Sequence, residues 1–184
     1  MNLDKIIQSR KSVRNFKGKK PDWRDIIECI DSVRYAPMAG NNFSLKFIIV
    51  SDAENILKIS EASQQPFISQ AKYVIIVCSD TTRTINAFGK KGEVFVRQQA
   101  GAAIENLLLK LHEKGLSTCW IGHFIENHIK KILTIPDKIQ IEALFPIGYE
   151  NKIEKRKTKI ELDRFLYFEK FGNKKMNKIK KLEI

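Results

Sequence analysis

The chain is poor in the residues that usually carry protein-borne chemistry: of 184 residues, three are cysteine and three histidine. Cys29, Cys78 and Cys119 stand far apart inside apolar segments. An odd count with no CxxC pair argues against a disulfide framework and against a zinc site. Buried, reduced thiols are the expectation, because free cysteine behaves as a small hydrophobe. The histidines are His112, His123 and His128, and His112 falls among Lys110 and Glu113 as a surface or packing residue. There is no GxxxxGK loop closed by Ser or Thr, no GxGxxG, no GxSxG and no HExxH. Nucleotide hydrolysis, Rossmann dehydrogenation, serine hydrolysis and zinc proteolysis therefore lose their usual sequence support. No catalytic side chain and no metal site is expected; if the chain is an enzyme, its difficult chemistry belongs to a cofactor.

Long apolar runs are missing too, none approaching the roughly 18 residues a membrane helix needs. Met1 to Ile7 lacks the basic head, apolar block and cleavage site of a secretory signal, so a cytoplasmic location without a membrane partner is expected. Negative charge is in short supply: 33 Lys and Arg face 21 Asp and Glu, a formal charge of +12. Such a field favours anionic partners. Much of it lies in Arg10 to Lys20 and in Asn151 to Lys181.

What remains is an ordinary globular composition, 43% hydrophobic and 29% charged, enough for one core. One domain over residues 1–172 is expected, with a basic tail over 173–184. Leu3, Ile6 and Ile7 predict a short helix from Leu3 to Ser9, and Asp22 caps a second one reaching about Tyr35, where Pro37 ends it. Leu45 to Val50 reads as a strand and Asp52 opens a helix to about Ser60. Tyr73 to Cys78 is a β-branched run suited to burial on both faces. Thr81 to Lys91, ending in Gly89-Lys90-Lys91-Gly92, reads as a mobile rim. Ala100, Ala103, Ile104, Leu107, Leu108 and Leu111 mark a long helix from about Glu93 to Lys114, stopped by Gly115. Thr118 to Ile121 and Ile139 to Tyr149 read as strands around a helix from Glu126 to Leu133. Helices alternating with strands predict an α/β or α+β domain around one sheet.

Two pieces invite a ligand. Arg10-Lys11-Ser12-Val13-Arg14 puts three cations and a hydroxyl at a helix end, where guanidinium groups can grip phosphate in parallel hydrogen bonds. Tyr35-Ala36-Pro37-Met38-Ala39-Gly40-Asn41-Asn42-Phe43 is a proline-broken connector between a helix and a strand. Each alone is equally a solvated surface or a plain turn.

Their order makes them recognisable. Ser9 to Phe16 resembles the RRSxRxF opening of the nitroreductase family of FMN-dependent oxidoreductases, and Ala36 to Asn41 resembles its APSxxNxQPW loop. Ala102 to Leu109, then His112 to Gly122, is similar to its AAxQNLLLAAHxxGLGTCWIG segment. Pro146-Ile147-Gly148-Tyr149 and Lys155-Arg156-Lys157 resemble its closing elements. The resemblance implies an α+β sandwich, a mixed central β-sheet flanked by helices, and an intertwined homodimer with FMN at the subunit interface. By that resemblance Arg10, Lys11, Ser12, Arg14 and Arg156 hold the phosphate, ribityl chain and pyrimidine edge. Ile121 and Gly122 lie against the ring, Gln65 offers it a polar contact, and Pro37, Met38, Ala39 and Asn41 reach it from the partner subunit. The implied activity moves a hydride from NADH or NADPH through FMN to an electron-poor small molecule such as a nitroaromatic or quinone. Phe43, Ser44 and Leu45 depart from the usual Gln-Pro-Trp, and Gln99 replaces a frequent Asp. The family's other flavin tasks, dehydrogenation, dehalogenation or flavin destruction, stay open. A basic nucleic-acid-binding module is disfavoured, since no aromatics interleave with the basic runs.

Overall fold

The computed structural model describes residues 2–152 and 158–176. The chain divides into two compact units, Met1–Glu154 and Lys155–Ile184. Arg156 lies outside the described residues.

In the first unit the order is α1 (Leu3–Ser9), α2 (Trp23–Asp31), β1 (Leu45–Val50), α3 (Ala53–Ala62), β2 (Tyr73–Ser79), α4 (Thr82–Phe88), α5 (Lys91–Glu113), α6 (Glu126–Leu133) and β3 (Gln140–Ile147), with short 3-10 turns between. Side chains set the starts of three helices. Asn2 accepts the N–H of Lys5, Asp22 that of Arg24 and Asp52 that of Asn55, each satisfying an amide the first turn leaves open. The second helical stretch is α-helical to Asp31 and tightens to a 3-10 turn over Ser32–Tyr35.

The strands pair in the order β1-β2-β3. Central β2 is buried throughout, and its alternation splits the core. Tyr73, Ile75 and Val77 meet α2 and α5, while Val74, Ile76 and Cys78 meet α3 and α6. Each fully buried aliphatic side chain contributes roughly 1.5–3 kcal/mol, so two helical layers clamp the sheet. Where the resemblance implies a mixed sheet, pairing among the described strands and bridges is antiparallel throughout, because each connection returns the chain to the end of the sheet it left.

Two local expectations are corrected. Thr118 to Ile121 is no continuous strand: Ser117 bridges Gly148 and Ile121 bridges Leu144. The antiparallel register places Cys119 opposite Pro146, which has no N–H to give, and the ladder breaks there. Thr81 to Lys91 is no loose rim either: most of it is helix α4, packed on α5. The close approach depends on Gly92, where a Cβ would stand 2.5 Å from the Thr84 carbonyl oxygen. Among the described residues no helix is long and apolar enough to cross a membrane.

In the second unit residues 158–176 hold one 3-10 turn, Leu162–Arg164. Lys174 lies 4.0 Å from the centroid of the Tyr167 ring, which in turn packs on Phe171.

Candidate functional site

The basic segment leaves α1 through Arg10, whose N–H still donates to the Ile6 carbonyl at 3.0 Å. It then runs extended and is tied on several sides. Val13 N–H donates to the Thr118 carbonyl (2.9 Å) and Lys17 N–H to the Tyr149 carbonyl (2.8 Å), and Phe16 N–H donates to Gln70 Oε1 (3.2 Å). Val13 and Phe16 are buried beside Ala71, with Phe67 packed against them. Gly148 makes room for Phe16, since a Cβ there would stand 2.9 Å from that ring. Ser12 is left half-buried and Arg14 exposed.

Carboxylates orient the first two cations. Lys11 Nζ sits 2.7 Å from Glu150 Oε1, and Arg10 Nε lies 3.8 Å from Glu105 Oε1. Behind them is a cavity of about 40 Å³ lined by Lys11, His112, Thr118 and Glu150, among others. It is large enough for a water molecule. Thr118 Oγ1 is buried there with no hydrogen-bond partner among the described residues. His112 Nε2 lies 2.6 Å from the Ser9 hydroxyl, which makes it a brace between α5 and the end of α1. Glu105 and Glu150 carry no motif signal; only the folded chain brings them to the cations.

Residues 117–121 run beside β3, from the Gly148 end that borders the basic segment towards Leu144, and lead to Ile121, buried, and Gly122, exposed. A Cβ on Gly122 would meet nothing nearer than Trp120 Nε1 at 3.9 Å. Neither packing nor a left-handed backbone requires glycine there, so the space before it is open to something outside the chain's own atoms. Gln65 is half-buried and heads the 3-10 turn Pro66–Gln70. Its backbone is held by Ser60, and the Ile125 N–H bond to the Ala62 carbonyl sets this turn beside residues 122–125. Val13 thus ties the basic segment to residues 117–121, while Gly122 follows the Ile121–Leu144 bridge at the other end of that stretch and Gln65 heads the turn after α3. Cys119 is buried.

Pro37, Met38, Ala39 and Asn41 are elsewhere. Their loop leads into β1 at the Leu45–Ser79–Gln140 end of the sheet, whereas the basic segment flanks the Tyr73–Ile147 end. The length of β1 alone, roughly 17 Å at about 3.3 Å per residue, separates them. Gly40 and Asn41 are both left-handed, at φ 57° and 55°. A Cβ on Gly40 would stand 3.0 Å from the Phe88 ring. Gln99 Oε1 accepts the Ser44 N–H (3.0 Å) and Gln99 Nε2 donates to the Asn42 carbonyl (3.2 Å). Ser44 supplies an N–H that proline lacks, so the two sequence departures at 44 and 99 form one physical unit.

The basic segment offers cations and a hydroxyl suited to an anionic group, and Gly122 a backbone that admits close approach. A model of the Nitroreductase family matches residues 7–65 and 58–149. A putative NADH dehydrogenase/NAD(P)H nitroreductase of Archaeoglobus fulgidus is 29% identical over 150 residues, covering 79% of this chain and 83% of that protein. An iodotyrosine deiodinase of Thermotoga neapolitana is 25% identical over 170 residues, covering 78% and 86%. An oxidised iodotyrosine deiodinase bound to FMN and 3-iodo-L-tyrosine shares the fold, with a TM-score of 0.78 at 22% identity over 88% of this chain and 96% of that one. With the matched segments spanning the basic segment, the loop at Asn41 and the strand β3, the chain belongs to the nitroreductase family.

Proposed function

We propose that the chain is an FMN-dependent oxidoreductase acting as a homodimer, with each flavin site built from two subunits. The observation that carries this reading is the hydrogen bond from Val13 N–H to the Thr118 carbonyl. It ties the basic segment to the stretch that leads into Gly122, where a Cβ would meet no atom of the described residues nearer than Trp120 Nε1 at 3.9 Å. Family membership and the FMN-bound neighbour support the same cofactor.

The chemistry FMN supplies when bound is two-electron transfer, taking a hydride from NADH or NADPH and giving it to an electron-poor acceptor such as a nitroaromatic or quinone in ping-pong order. The chain's own residues bind and orient. Arg10, Lys11 and Ser12 would hold the phosphate and ribityl chain. Arg14, exposed and cationic, would serve the pyrimidine edge, where positive charge favours the reduced anionic ring. Glu150 fixes the direction of Lys11, which lowers the side-chain entropy lost on binding. Gln65 would offer the ring a polar contact, and Ile121 and Gly122 would lie against it. Pro37, Met38, Ala39 and Asn41 stand at the far end of their own sheet, so they serve the site of the partner subunit. No side chain acts as nucleophile or base.

The purified protein should be yellow, show flavin absorbance and elute at twice the chain mass. A colourless protein that gains no flavin absorbance after incubation with FMN would sink the reading. Stopped-flow reduction should bleach the bound flavin with NADH or NADPH. The deiodinase relative favours a second reading, reductive dehalogenation; no bleaching by either nicotinamide, with turnover of a halogenated phenol under dithionite, would select it.

A further inference from the structure

We infer that Gln99 is a positioning residue: its buried amide fixes the backbone just beyond Asn41 and so sets how Asn41 meets the flavin of the partner subunit. The inference rests on the functional reading above and deepens it. Asn41 is a non-glycine residue in the left-handed region, next to a left-handed Gly40. Such a pair persists only where neighbours over-determine it. The neighbours are visible. Gln99 is 4% exposed, and both ends of its amide are spent on the same stretch, the oxygen on Ser44 N–H and the nitrogen on the Asn42 carbonyl. The orientation is dictated, because a backbone N–H needs the amide oxygen and a carbonyl needs the NH2 group. The Ser44 and Thr84 hydroxyls share a hydrogen bond of 3.0 Å, and Asp80 N–H donates to the Ser44 carbonyl. Gln99 projects from α5, the longest helix among the described residues, so the loop is tied to the helix that packs across the core. Methionine can fill the same volume but satisfies neither partner. Glutamate keeps the acceptor for Ser44 and turns an oxygen against the Asn42 carbonyl.

The test is a double-mutant cycle on the full chain, reading FMN affinity from flavin fluorescence for wild type, N41A, Q99M and the double variant. Q99M should weaken FMN binding about tenfold when Asn41 is present, and less than about twofold once it is alanine. Q99E should fall between wild type and Q99M, and it replaces Q99M in the cycle, under the same criterion, if the methionine variant does not fold. Equal losses in both backgrounds overturn the inference, leaving Gln99 a packing residue. So does an N41A chain that holds FMN as tightly as wild type. A wild type that takes up no FMN sinks the functional reading before any variant is made, so the two failures are told apart.

Discussion

Gly122 separates a fold requirement from a ligand requirement at a single atom. Since an added methyl group would meet nothing nearer than 3.9 Å within the chain, Gly122→Ala should move the unfolding midpoint by no more than about 2 °C, as substitutions away from packed features do. The same methyl group stands where the flavin ring would approach, and FMN affinity should fall at least about tenfold. Melting curves and flavin titration on one preparation check both halves. The thiols make the opposite case, residues set by the core alone. Burial pushes Cys29 up to about 12 and Cys78 up to about 11, while an unfolded thiol ionises near about 8.5. Between those values the native state holds protons the unfolded state has lost. The stabilisation is therefore complete below about pH 8.5 and drains away as pH rises towards 11 and 12. Urea midpoints at pH 8 and pH 10.5 should show the fall, and Ellman's reagent at pH 8 should leave Cys29 and Cys78 unmodified until urea is added.

Among the elements, α4 is the informative one. Gly92→Ala forces a Cβ to 2.5 Å from the Thr84 carbonyl oxygen, so α4 and α5 must part at a cost of about 1–3 kcal/mol. Urea denaturation should register it, with faster amide exchange in residues 84–88. The sequence conceals this helix for a physical reason. It buries only Thr84, so it leaves no apolar stripe to read; its start is marked by Asp80, which accepts the Thr82 N–H, and packing on α5 holds it. Elements with a built-in signal were legible: β2 from its β-branched run, α5 from its apolar spacing, α2 and α3 from Asp22 and Asp52. At the candidate site, the cations from Arg10 to Arg14 and the glycine at 122 are singled out by residue type and order alone. The carboxylates that orient the cations, the orphaned Thr118 hydroxyl and the amide of Gln99 could not, since each acts only through partners that folding delivers.

At the scale of the molecule, the net charge of +12 would, in the proposed site, draw an anionic cofactor to Arg10, Lys11 and Arg14, a pull that screening by salt should weaken. A further consequence follows from the loop of Asn41 and the basic segment lying at opposite ends of one sheet. If each flavin is gripped by the arginines of one subunit and the asparagine of the other, two damaged proteins can repair one another. Arg14→Ala and Asn41→Ala should each lose FMN when pure. Unfolded together and refolded, they should form mixed pairs in which one site inherits both lesions and the other inherits neither. Random pairing restores about one site in four, a regain of bound flavin measurable by absorbance after gel filtration. Mixed pairs verified by mass but empty of flavin would mean that each chain builds its pocket alone.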